Sequence, residues 1–415
     1  MKTALVIGAG FVGASCAWQL QRAGHRVTLL DPGDFTRAAS FGNAGHLAIE
    51  QVEPLASWAN LRSLPQRLFL RGGPVGLPPR DIAAWLPFGL RLVAAATPAR
   101  FAAGRQTLAD LLSHAMPAWR WLAAQTGISQ FLRQDGHFVA WESAASARRG
   151  KQHWLQADVG EARVQPASAD ELALLRAQFN GRAVDAVRFT HTGQVLDLAQ
   201  AHQGLLAALQ LAGGTVRSGQ VRGLVSQGGR LHARCDDGAD HTAELVLVAA
   251  GAASAELLRP LLGPVPLIAE RGYHLESPAA LLTGEGGLPP VAWEDRSVIV
   301  TRFASSLRIA SFTEFSRSES PPDTRKWAAL ARHAADLGLP MAGSDASRWV
   351  GARPTLPDYL PAIGRSTVLP QLLYAFGHQH LGLTLSALTG ELVAALATGA
   401  QPTVDLQPLR LERFR

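Results

Sequence analysis

Three glycines and one acid near the N-terminus carry the first chemistry in this chain. In "ALVIGAGFVGASCAWQLQRAGHRVTLLD", Gly8, Gly10 and Gly13 form a G-x-G-x-x-G between two apolar runs, and Asp31 closes the second run. Gly8 permits a tight turn, Gly10 lets a pyrophosphate approach the backbone, and Gly13 lets the following helix lie close to the sheet. Asp31 stands where a carboxylate accepts hydrogen bonds from both hydroxyls of an adenosine ribose. A second such feature lies near the other end. "GHQHLGLTLSALTG", residues 377–390, is a glycine and histidine loop without acids that runs into a helix start. The unpaired N–H groups and partial positive charge of a helix start suit a negative or electron-rich group.

These residues need elements to hold them. Residues 4–7 read as a strand, 11–22 as a helix and 26–30 as a second strand, which together make a βαβ unit. Such a unit binds the ADP half of either NAD or FAD. The next segment, "SFGNAGHLA" at 40–48, is small and glycine-rich where an NAD domain usually continues βαβ. Ser40 and Asn43 can donate to phosphate or flavin atoms, and Gly42 and Gly45 allow extended backbone against a flat ring, so FAD is the expectation. Residues 52–126 read as helical, broken by Pro54, Pro65, Pro74, Pro78, Pro79, Pro87 and Pro98. Trp58, Trp85, Trp119, Trp121 and Trp141 are read as core and as lids over a pocket. "FLRQDGHFVAW" alternates like a strand. A helix over 198–211 and short strands over 215–216, 221–225 and 231–235 follow. The apolar strand opening "ELVLVAAGAASAELL" at 244–258 ends in glycine and a helix, so the chain returns there to the nucleotide sheet. "RGYHLES", "SVIVTRF" and "SLRIASFTEF" predict an antiparallel sheet in a second, inserted domain.

Composition narrows the function classes. The chain has 415 residues, and its formal charge of +6 comes from arginine, because only Lys2, Lys151 and Lys326 are lysines. The arginines are scattered, which argues against a nucleic-acid partner and for an anionic small molecule or surface. Cys16 and Cys235 have neither metal nor disulfide spacing, so no metal is expected and a reducing cytoplasm suits the chain. "MKTALVIGAGFVGASC" has the look of a secretory or lipoprotein signal, but Gly13 stands where such a signal has leucine and cleavage would destroy the glycine motif. No stretch of roughly 18 apolar residues is free of charge and proline. Residues 81–101, apolar with flanking arginines, could lie peripherally on an anionic membrane at the inner face of the cell.

The set "VIGAGFVG", "SFGNAGH", "LVLVAAGAAS", "WVGARPTLPDYLPAIG" and "GHQHLGLT", in this order, resembles the FAD-dependent D-amino-acid oxidoreductases over essentially the whole chain. The bacterial D-amino-acid dehydrogenases are the most similar branch. The resemblance implies an α/β (α+β overall) architecture: a discontinuous glutathione-reductase-like Rossmann domain for FAD (1–55, 190–262 and 345–415) and a substrate domain (56–189 and 263–344) whose antiparallel sheet roofs a non-covalently held flavin. Gly8, Gly10, Gly13 and Asp31 would hold the ADP half. Ser40, Asn43, Ala44 and Gly45 would line the flavin, with His46 beside its ring. Val221 would meet the adenine, and Gly251 would pass close to the cofactor. The N–H groups of Gly382, Leu383 and Thr384 would face the end of the flavin that becomes negative on reduction. Arg353 matches the arginine that binds the substrate carboxylate, for which its planar fork is suited; a salt bridge to Asp358 is the competing role. Tyr273 is a candidate second carboxylate ligand, and His378, more than His380, a candidate contact to flavin or substrate.

The implied reaction is oxidation of a D-amino acid by hydride transfer from its α-carbon, with electrons passed to a quinone or other carrier. "RGYHLE" and "GHQHLGLT" depart from the wording usual in alanine-type dehydrogenases and are similar to the branch acting on D-proline or cis-4-hydroxy-D-proline. An oxygen-using oxidase, a 2-hydroxy-acid dehydrogenase and a non-catalytic flavin-binding subunit of a larger complex remain alternatives. A homo-oligomer is compatible with all of them.

Overall fold

A six-stranded sheet carries the glycine motif in this computed structural model, which describes residues 2–278, 287–341 and 346–415. Its order is Thr215–Ser218, Arg26–Asp31, Thr3–Ile7, Leu245–Val248, Leu372–Phe376 and Ala362–Arg365, parallel except at the last pair. Both faces are covered, as a parallel sheet requires. Ala4, Val6 and Leu247 pack on one side with helices Phe11–Arg22, Leu198–Leu211 and Gly382–Thr398. Leu5, Ile7 and Val246 pack on the other with helix Ser254–Leu262 and a three-stranded sheet, Val221–Gln227, Arg230–Cys235 and Asp240–Ala243. Burying each such aliphatic side chain contributes about 1.5–3 kcal/mol. The strand tips that end at Gly8 and Asp31 are thereby fixed.

A nine-stranded sheet forms the second layer. Its path is Ser347–Thr355, Ile268–Pro278, Ser306–Ser316, Val298–Arg302, Val291–Trp293, His137–Trp141, Asp185–Thr190 and Arg163–Pro166, with Val75–Gly76 joined to Ser306–Ser316. It is mixed rather than antiparallel, since His137–Trp141 runs parallel to Val291–Trp293 and Val75–Gly76 parallel to its partner. Ser347–Thr355 also departs from the expected division. The sequence reading placed 345 onward with the nucleotide sheet, yet this strand is the edge of the large sheet, paired along Ile268–Pro278. The chain crosses to the nucleotide sheet only after Thr355.

Two prolines behave differently from expectation. Pro65 lies inside helix Trp58–Arg67 and Pro87 inside helix Ile82–Ala95. Pro65 is two residues from its helix end and Pro87 in the second turn of its own, where few backbone bonds are lost. "FLRQDGHFVAW" splits into Leu132–Arg133, in a small sheet with Gly193–Val195 and His46–Leu47, and a fully buried His137–Trp141. The tryptophans divide: Trp119 and Trp141 are core, whereas Trp58 and Trp121 are exposed. Among the described residues, Gln379–Thr398 is the one unbroken helix with the length and apolarity to cross a membrane. It packs between Phe11–Arg22 and Pro98–Thr126 as a core helix.

Candidate active site

The glycines of the first turn are not equivalent. Gly8 has φ +102°, and a Cβ there would lie 2.5 Å from Ala249 O. At Gly13 a Cβ would fall 1.8 Å from Gly8 O, so these two are demanded by protein packing. At Gly10 the nearest atom to a Cβ would be Ser40 Oγ at 3.2 Å, which leaves its open side for a ligand. Asp31 closes the cradle: Ala9 N–H donates to Oδ2 (2.8 Å) and Gly33 N–H to Oδ1 (2.8 Å), which leaves lone pairs for hydroxyl donors. Phe11 N–H donates to Ser40 Oγ (3.2 Å), tying the 40–45 loop to the helix start.

That loop is clamped from the large sheet. Asn43 Oδ1 accepts from Gly45 N–H (2.8 Å), and Arg308 donates to the carbonyls of Phe41 (2.9 Å) and Asn43 while pairing with Glu276 (2.8 Å). Trp349 leaves no room for a side chain at Gly42, its ring lying 2.0 Å from a Cβ built there. Its other face stacks on His274, whose pKa burial pushes down to about 2, so that ring is neutral. None of Arg308, Glu276, His274 and Trp349 was singled out from the sequence.

One cavity of about 1330 Å³ runs between the two sheets. It is lined by Gly8, Gly10, Asp31, Ser40, Asn43, Ala44, His46, Val221, Gly251, Tyr273, Arg353, His378, Gly382 and Leu383 of the expected set. Gly13, Gly45 and Thr384 lie behind this lining, and Thr384 Oγ1 instead accepts from Ala48 N–H (2.9 Å). Gly382–Thr384 is the first α-helical turn, where the short 3-10 turn Gln379–Leu381 passes into the helix.

Arg353 enters the cavity from the edge strand. Its guanidinium lies over Gly272, where a Cβ would meet Nη2 at 2.3 Å, which explains the glycine in "RGYH". Arg353 Nη1 donates to Phe312 O (3.0 Å) and faces Glu270 Oε1 at 3.3 Å. Glu270 is buried, and its other oxygen accepts from Thr355 Oγ1 and Tyr359 OH, each at 3.1 Å. Asp358, the expected competitor, pairs with Arg413 instead (2.7 Å). Phe312, Tyr359 and Gln379 adopt φ +72°, +58° and +44°. Such values are outliers for bulky residues and gather where a surrounding network holds them: Phe312 offers its carbonyl to Arg353, Tyr359 its hydroxyl to Glu270, and Gln379 Nε2 donates to Tyr359 O (3.1 Å).

Two expected residues line the cavity with polar atoms already bonded within the protein. Tyr273 donates its one hydroxyl proton to Glu314 Oε1 (3.0 Å) and accepts from Arg271 Nη2 and Asp323 N–H, both at 3.1 Å. A hydroxyl with its proton committed has none for a carboxylate. Its ring packs on Trp327, within the buried network of Arg271, Glu314 and Lys326. His378 is 2 % exposed and bonded through Nε2 to Thr389 Oγ1 (3.0 Å), and burial takes its pKa down to about 3. The neighbouring His380, bonded to Gln51, is the histidine that feels the charges of Arg353 and Glu50.

His46 belongs to a cluster that sequence reading missed. Its Nε2 is 3.1 Å from Glu50 Oε1, and His137 Nε2 is 3.9 Å from the same oxygen. Burial opposes ionisation of Glu50, but the neighbouring imidazoles outweigh it and bring its pKa to about 2. Burial takes His137 to about 3, so at neutral pH His46 is the direct partner. Among the described residues His46, Glu50 and His137 bring three ligand atoms within 4.8 Å of one another, with His46 Nε2 hydrogen-bonded directly to Glu50. The spacing of four residues in "HLAIE" was the available signal.

Residues 3–396 match the profile of the FAD dependent oxidoreductase family. The chain belongs to that family. FAD is therefore its cofactor, and the open side of Gly10, the lone pairs of Asp31 and the first turn at Gly382 fit an adenine dinucleotide joined to a flavin. Similar proteins include a D-amino-acid oxidase of Bradyrhizobium diazoefficiens, 33% identical over 99% of this chain and 98% of that one. A D-amino acid dehydrogenase 2 of Ralstonia nicotianae is 32% identical over 98% and 99%. Among solved structures, glycine oxidase from Geobacillus kaustophilus superposes with a TM-score of 0.71 at 21% identity, covering 99% of each chain.

Proposed function

We propose that this FAD-dependent oxidoreductase oxidises a D-amino acid at its α-carbon, with D-proline and cis-4-hydroxy-D-proline as the foremost substrates. The observation that carries the reading is Arg353, a guanidinium held against Gly272 by Glu270 and Phe312 O, within the cavity lined by Gly382 and Leu383. Its remaining N–H groups match a carboxylate. The D-amino-acid names of relatives 29% to 33% identical over nearly all of both chains support the substrate class. Bound FAD supplies the hydride acceptor. The chain's part is to hold the carboxylate, to present the first-turn N–H groups where negative charge develops, and to keep bulk water from the α-carbon. His380, which lines the cavity and is bonded to Gln51, is the histidine offered for a ring hydroxyl.

For the acceptor we favour a quinone or other carrier reached at an anionic membrane surface. Ile82, Leu86, Leu90 and Val93 form an exposed apolar stripe along helix Ile82–Ala95, and Arg80, Arg91 and Arg100 lie beside it in sequence. Oxygen is the second reading, favoured by the relative named an oxidase. Anaerobic addition of D-alanine, D-proline, cis-4-hydroxy-D-proline and their L-forms should bleach the flavin band with D-forms only, and bleaching by L-forms would overturn the stereochemical assignment. Oxygen uptake that keeps pace with turnover would replace the carrier by oxygen. Failure to sediment with anionic vesicles would remove the membrane surface.

A further inference from the structure

Glu50 is a charged group with unfinished bonding. It is 4% exposed and lines the same cavity as Arg353, His46 and His380. Oε1 is met by His46, whereas Oε2 is buried without any partner in the structure, and His46 Nδ1 is likewise unpartnered. An ionised carboxylate has about four lone-pair sites, and leaving one of its oxygens buried and unmet is costly. Such an oxygen calls for a donor that arrives with a ligand. His380 joins the two halves of the cavity: it is bonded to Gln51, the residue after Glu50, and lies within the electrostatic reach of both Arg353 and Glu50.

We propose that Glu50 receives the substrate's amino nitrogen, so that Arg353 and Glu50 together recognise a zwitterion and select amino acids over 2-hydroxy acids. This rests on Arg353 being the carboxylate anchor. An ammonium or a protonated ring nitrogen gives Glu50 Oε2 a charge-assisted hydrogen bond, about twice as strong as the one a neutral hydroxyl can offer. A 2-hydroxy acid satisfies Arg353 equally and leaves the Glu50 charge without its counter-ion. His46 acts as a positioning residue, holding Oε1 so that Oε2 is the free oxygen.

The test uses the FAD-loaded full chain under anaerobic conditions. The concentration dependence of flavin bleaching by the fastest D-amino acid gives its Kd, and spectral titration with cyclopentanecarboxylate, which has no donor in place of the amino nitrogen, gives the Kd of a carboxylate alone. Glu50→Gln should weaken the amino acid about 10- to 100-fold and leave cyclopentanecarboxylate unchanged. Glu50→Asp should recover part of the loss, which a merely unfolded pocket would not show. Arg353→Ala should weaken both ligands, and retention of cyclopentanecarboxylate there would strike the anchor and not Glu50. A Glu50→Gln enzyme that binds the amino acid as the parent does, or loses both ligands equally, overturns the proposal.

Discussion

The turn at Gly8–Asp31 and the strand pair around Arg353 line one cavity, and they are built on different principles. The first is backbone and glycine, contiguous in the chain, with its shape set by packing at Gly8 and Gly13. The second is side-chain chemistry assembled from distant segments: Arg353 and Thr355 on one strand, Glu270 and Gly272 on its neighbour, Phe312 on the next and Tyr359 beyond the sheet. A site made of backbone tolerates surface change and fails when volume is added. One made of coupled side chains fails when charge is removed.

The largest expected effect is at the charge. Arg353→Ala should keep the yellow flavin and lower the rate of reduction by carboxylate substrates about 100- to 1000-fold, the cost of truncating one partner of a buried charge pair. Stopped-flow bleaching measures it, and a mutant that reduces as fast as the parent removes Arg353 from the site. Arg353→Lys keeps the charge but loses the fork and should fall between the two.

Volume tests the other region. Gly13→Ala places a Cβ 1.8 Å from Gly8 O and should destabilise the chain by about 3 kcal/mol, yielding protein poor in FAD and with a lowered Tm. Gly10→Ala meets only Ser40 Oγ, so it should melt near the parent temperature without FAD while binding FAD more weakly. If both variants behave alike, the division between packing glycine and ligand glycine is wrong. Glu270→Gln is milder: it keeps the shape around Thr355 and Tyr359 but weakens the grip on Arg353, and should raise KM about 10-fold with little change in kcat. A fall in kcat alone would place Glu270 in the chemistry instead of behind the anchor.

The same division explains what could be read from the sequence. The βαβ unit was legible because strand, glycines, helix and acid are neighbours whose spacing is itself the structure, down to the helix end at Arg22. Helix Leu198–Leu211 was legible for the same reason. Arg353 was reached only through a motif, and Asp358, five residues away, was the acid weighed for a competing salt bridge, because Glu270 is close only across a strand pairing. Tyr273 looked available because nothing local shows that its proton goes to Glu314. His378 and His380 are told apart only by rotation about a single turn, which a loop sequence does not reveal: the first is bonded to Thr389 and the second to Gln51. Gly272 was the overlooked signal: a glycine in mid-strand marks a close approach, here by Arg353.

The smallest expected effect spans both regions and depends on pH. His137, His274, His378 and His380 have pKa values taken down by burial to about 3, 2, 3 and 3. Each stays neutral in the folded chain while its unfolded counterpart binds a proton below about pH 6.5. The unfolded state therefore holds more protons as pH falls, and stability decreases on acidification. The contribution is fully present above about 6.5 and is lost progressively as pH falls below it. Ionised Glu50 adds to the loss in the same direction, but only below the ordinary carboxylate range. Thermal melts of the FAD-loaded protein from pH 7.5 to 5 should show Tm level above about 6.5 and falling below it, whereas a Tm level over the whole range would mean that these rings are already open to water. His378→Asn should reduce the slope without slowing flavin reduction, because the Nε2 of that ring is taken by Thr389 in the helix. His380→Asn should reduce the slope and alter KM together, and the contrast between the two separates a cavity histidine bonded into the helix from one bonded to Gln51 beside Glu50.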